Sequence, residues 1–76
     1  MQRQKVTILE KTDGKPWTVI AVRALIMLGD FEVEQLDSKP HRLVLMNDSP
    51  GGKKPSEILG HSNFTTKTVD YLDRWN

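Results

Sequence analysis

Apolar and polar positions divide this chain into six stretches with different periods. Lys5-Val6-Thr7-Ile8-Leu9 is a short β-rich run, closed by the turn residues Thr12-Asp13-Gly14. Residues 16–28 contain no internal glycine or proline after Pro16, which suits a first helical turn, and Gly29 follows as a stop. Phe31-Glu32-Val33-Glu34-Gln35-Leu36 alternates with period two, the mark of a half-buried strand. These three stretches predict a β-α-β unit whose two strands run parallel. Residues 41–46 fit either a helix headed by Ser38-Lys39-Pro40 or a strand, and pattern alone does not decide between them. Ser56-Glu57-Ile58-Leu59 reads weakly as a strand, and Gly60-His61-Ser62-Asn63 as a turn. A last helix is expected from Thr65 or Thr66 through Val69, Leu72 and Trp75.

The first helix carries more apolar surface than one packing face needs. Ten of the thirteen residues 16–28 are apolar, whereas a surface helix buries a single stripe somewhat over 100° wide. At 100° per residue, Trp17, Ile20, Ala21, Ala24 and Leu28 gather on one side and Val19, Val22 and Ile26 on the other. The second stripe is either covered by flanking elements or offered to a partner, a second copy of the chain among the candidates. Trp17, Val19, Val22 and Ile26 are the expected contact residues, with Trp17 as anchor because tryptophan is enriched at interface hot spots.

Composition narrows the function classes. A length of 76 residues predicts one domain, 1–76, with about 4–11 kcal/mol of total stability. With 37% hydrophobic and 28% charged residues, the chain reads as an ordinary globular protein. No stretch approaches the roughly 18 apolar residues of a membrane span, so a cytoplasmic protein without membrane association is the default expectation. A net charge of +1, with only Arg3/Lys5 and Lys53/Lys54 as basic spots, argues against a nucleic-acid partner. The chain contains no cysteine, so neither disulfides nor cysteine-ligated metal can reinforce the core.

Gly14-Lys15-Pro16-Trp17-Thr18-Val19, followed by Ala24-Leu25, Leu28-Gly29 and Phe31-Glu32-Val33-Glu34, resembles the motif loop, first helix and second strand of glutaredoxins. Lys15 and Thr18 stand where that family has its two cysteines. Met46-Asn47-Asp48-Ser49-Pro50-Gly51-Gly52-Lys53-Lys54-Pro55 is similar to the end of the family's second helix and the loop to its cis-proline, and Tyr71-Leu72 to part of its final helix. The resemblance implies an α/β minimal thioredoxin-like fold, a small mixed sheet flanked by helices, with residues 41–46 helical. It also implies a degenerate redox site at Lys15, Pro16, Trp17 and Thr18. Thiol–disulfide exchange needs an attacking thiolate, which neither lysine nor threonine supplies. By the same resemblance Lys11, Lys54, Pro55 and Thr66 correspond to residues that hold glutathione, so a relic site for an anionic ligand is a second expectation.

Other chemistry is thinner. Leu59-Gly60-His61-Ser62 followed by Tyr71 resembles the end of tyrosine recombinases, but there is no room for the preceding catalytic domain. His41 and His61 lack neighbours at metal-ligand spacing, so no metal and no cofactor are expected. The sequence therefore predicts a redox-inactive, non-catalytic protein-binding module. The alternatives are a binder of a glutathione-like anion and a nucleic-acid accessory protein.

Overall fold

The computed structural model describes residues 5–60 and 63–70. Its elements are β1 (Lys5–Lys11), α1 (Val19–Gly29), β2 (Val33–Leu36), β3 (Lys39–Leu45), α2 (Pro55–Leu59) and β4 (Phe64–Asp70). They form one four-stranded sheet in the order β2-β3-β1-β4, with every neighbouring pair antiparallel. The expected mixed sheet is therefore corrected. β1 and β2 point the same way, as the β-α-β reading requires, but β3 turns back from β2 and inserts between them. This β-α-β-β-α-β connectivity is the split β-α-β arrangement.

β1 is central, which explains its composition. Val6 and Ile8 are buried on one face and Leu9 on the other, so the strand reads as a nearly continuous apolar run. Residues 41–46 obey the same logic. Their helical reading is overturned: Leu43, Val44 and Leu45 form the buried end of β3, paired with Leu9, Ile8 and Thr7. Pro40 precedes the part of β3 that pairs with β1, so its missing N–H removes no rung there. Asp37 and Ser38 make the two-residue turn from β2, and an irregularity in register between Gln35 and Leu36 accompanies it.

Two further expectations are corrected. Ser56-Glu57-Ile58-Leu59 belongs to the short helix α2, because Pro55 opens the first turn and Glu57 accepts the Lys54 backbone N–H through its carboxylate at 3.3 Å. None of the described peptide bonds is cis, so Pro55 does not reproduce the cis-proline that the glutaredoxin resemblance implies. Residues 64–70 are strand, not the start of the last helix. The β-branched Thr65, Thr66, Thr68 and Val69 favour an extended chain, and β4 pairs with β1 along all seven residues. Leu72 and Trp75, like His61 and Tyr71, lie outside the described residues.

Both helices pack on one sheet face. The core between the layers consists of Leu9, Trp17, Leu25, Phe31, Leu43 and Leu45, with Ala21, Val22, Ile58 and Leu59 against it. Val6, Ile8 and Val44 form a second buried cluster on the other face, with Met46 and Val69 alongside. Among the described residues, no helix is long and apolar enough to cross a membrane.

Candidate interaction surface

The loop that leads into α1 fixes how the helix is rotated on the sheet. Gly14 takes a left-handed φ of 72° and donates its N–H to the Lys11 carbonyl, and the Asp13 carboxylate accepts from the Lys15 N–H at 2.9 Å. The Trp17 N–H then bonds the Pro40 carbonyl at 3.0 Å, and the indole N–H bonds the Leu9 carbonyl at 3.3 Å. Its ring lies 5.5 Å from that of Phe64, with the Lys11 ammonium 5.4 Å above it. Trp17 is thereby tied to the sheet before the helix begins. Thr18 is the N-cap, its hydroxyl oxygen accepting the Ala21 N–H at 3.1 Å. In this fold Lys15-Pro16-Trp17-Thr18, the stretch likened above to a redox motif, serves as turn, sheet anchor and helix cap.

This placement corrects two of the four expected contact residues. Trp17 is only 8% exposed and belongs to the core, so it is no surface anchor. Val22 is half-buried against the same core. Val19 and Ile26 do face solvent, at 68% and 45% exposure. Ile20 at 80% and Met27 at 76% join them, with Leu28 at the margin. At 100° per residue, Ala21, Val22, Leu25 and Gly29 fall within one arc that meets the sheet and α2. Val19, Ile20, Arg23, Ile26 and Met27 fill the opposite arc. Phasing the helix from Trp17 hides Ile20 on the packed side. Phasing it from the Thr18 cap and the Leu25–Gly29 pair would have revealed it.

The C-terminal end of α1 is equally constrained. A Cβ at Gly29 would stand 2.6 Å from the Phe31 ring and 2.7 Å from the Ile58 Cδ1, so glycine permits the close approach of α1, β2 and α2. Gly29 stays helical, and Asp30 instead takes the left-handed cap position at φ 51°. Asn47 stitches this corner to the end of β3, accepting the Glu32 N–H at 2.7 Å and donating to the Asp30 carbonyl at 3.1 Å.

The four residues matched to a glutathione site do not converge. Lys54 and Pro55 line an open cleft of about 270 Å³ with Phe31 and Leu45 in its wall. Lys11 borders a different cleft beside Trp17 and Phe64. Thr66 is an exposed residue of β4 opposite Leu9. Elsewhere, the Arg42 guanidinium reaches one Glu10 carboxylate oxygen at 2.7 and 3.2 Å, with His41 at 3.8 Å. The hydrogen bond from Arg42 holds the Glu10 carboxyl below its ordinary pKa. That carboxylate is engaged in an ion pair across β1 and β3. No group of three or more metal-ligating side chains occurs among the described residues.

Comparison of the chain with protein-family models, with curated proteins and with solved structures returned no match.

Proposed function

We propose that this chain is a redox-inactive, non-catalytic protein-binding module whose contact surface is the outer face of α1. One observation carries the reading: Val19, Ile20, Ile26, Met27 and Leu28, all large and apolar, are 45–80% exposed on a single short helix. Scattered exposed apolar side chains are ordinary, but a contiguous patch on a small protein marks a surface that another molecule covers. The fold does not require these side chains, because the opposite arc of α1 already supplies its contacts with the sheet and α2.

The competing readings have less support. A glutathione-like anion would need its lysines around one cavity, and the Lys53/Lys54 cleft also contains the Asp48 carboxylate. A nucleic acid is usually gripped by clustered basic charge or by aromatic stacking on an open sheet. The sheet face away from the helices instead presents Val6, Ile8 and Val44, already buried. The likeness of residues 14–37 to glutaredoxins forms no part of this reading, because the sheet is antiparallel throughout and residues 41–45 and 64–70 are strands.

The double substitution Ile20→Glu/Met27→Lys separates binding from folding. Glutamate near the N-terminus of α1 and lysine near its C-terminus both suit the helix dipole. The isolated variant should unfold in urea within about 1 kcal/mol of the parent chain. In an extract of the native host, the labelled parent chain should sediment well above its own 8.7 kDa, and the variant as a monomer. A parent chain that sediments as a monomer in that extract would overturn the proposal.

A further inference from the structure

We infer that the outer face of α1 is built to pair with a second copy of itself, antiparallel across a two-fold axis. The inference rests on the protein-binding reading above and names its occupant. Within the apolar stripe the charged positions are few and regularly placed. Arg23 lies at its centre and Asp30 caps its end, seven residues on, two helical turns further along the same side. Both are exposed, and neither side chain has an ion pair or hydrogen bond among the described residues. Ile26 and Met27 sit midway between them.

An antiparallel pair of these helices with its axis beside Ile26 and Met27 brings each Arg23 to the second copy's Asp30. Each Ile26 then meets the second copy's Met27. Between residues 23 and 30 the patch is self-complementary, which is what an isologous two-fold contact demands, while Val19 and Ile20 fall opposite residues 34 and 33, beyond the second copy's helix. The other simple registers are worse. An axis at Arg23 stacks two guanidinium groups inside an apolar contact, where like charges repel strongly. A parallel pair gives Arg23 no carboxylate directly opposite. Because α1 has 11 residues and is about 16 Å long, the contact falls below the roughly 800 Å² per partner of a standard interface. The dimer is accordingly weak and concentration-dependent.

Sedimentation of the purified chain from about 5 to about 500 μM tests the inference. The apparent mass should rise from 8.7 kDa toward twice that value. Arg23→Glu alone faces Asp30 with a second carboxylate, and Asp30→Lys alone faces Arg23 with a second cation. Each should weaken dimerisation at least tenfold, while an equimolar mixture should regain it as a heterodimer with two opposite-charge pairs. Asp30→Asn, which keeps the left-handed cap conformation, should weaken the dimer without disturbing the helix, as circular dichroism will report. Charge variants that dimerise as well as the parent chain, or a mixture that stays monomeric, would overturn the antiparallel register. A parent chain that is monomeric at 500 μM would overturn self-pairing altogether. If its complex in host extract is still lost in Ile20→Glu/Met27→Lys, the surface stands with a different protein as occupant; if no complex forms there either, both proposals fall.

Discussion

Trp17→Ala should cost about 3–5 kcal/mol of unfolding free energy, most of what a domain of this size has. The ring is 8% exposed, packs on Phe64 and donates its N–H to the Leu9 carbonyl in the middle of the sheet. Truncation leaves a cavity under α1 and removes the indole's hydrogen bond to the Leu9 carbonyl. The backbone N–H of residue 17 would still reach Pro40, so the loop would keep its path but lose its wedge. Urea denaturation followed by circular dichroism should show a midpoint near zero denaturant or a chain already unfolded. Trp17→Phe should fall between, because it keeps ring volume but loses the N–H bond. A stable Trp17→Ala protein with weakened association would instead restore tryptophan as a surface anchor.

Gly29→Ala has the next largest expected effect, and here two terms compete. Alanine favours helix over glycine by about 1 kcal/mol in a helix interior, and by less in the final residue, where Gly29 stands. Against this, the new methyl would lie 2.6 and 2.7 Å from two atoms of the Phe31 ring and 2.7 Å from Ile58. Ile58 Cδ1 is the end of a flexible side chain and can yield. The Phe31 ring is 7% exposed in the core and cannot move without displacing its neighbours. Overpacking of this kind costs about 1–3 kcal/mol, so the clash wins. For a 60–100-residue domain each kcal/mol lowers Tm by about 4–8 °C, and thermal unfolding should report a fall of that order. A rise in Tm would mean that α1 and α2 are packed more loosely than the distances require.

How much of this was legible in the sequence depended on whether local pattern or tertiary context decided each element. β1 declares itself through a β-rich apolar run, α1 through helical spacing and β2 through alternation, each within a few residues of its bounds in the fold. Residues 41–46 did not, because a strand buried on both faces has no alternation to read. Leu43, Val44 and Leu45 face two different cores, and only the pairing with β1 shows it. β4 was hidden by its threonines, which read equally as helix caps; its pairing with β1 makes them strand residues. The one-and-a-half-turn α2 is too short for periodicity, yet Pro55 and Glu57 marked its first turn. At the candidate surface, the excess of apolar residues on α1 was plain, but the direction it faced was not. Pro16 and Trp17 looked like the opening of the helix, whereas Thr18 caps it and Trp17 belongs to the sheet. Starting the helix one turn early puts Val22 in the place of Ile20 on the outward face.

Position 20 is the place at which the binding surface is best probed. Substitution at Val22 would disturb the core and confuse folding with binding, whereas position 20 is 80% exposed. A photo-activatable phenylalanine analogue placed at position 20, expressed in the native host and irradiated, reports what lies against α1. A control probe at the exposed Lys67 on β4 reports background contact. A discrete protein adduct is expected from position 20 and none from position 67, the position-20 adduct disappearing when Met27→Lys is added. Equal, diffuse labelling from both positions, or an adduct from 67 alone, would contradict a binding surface on α1.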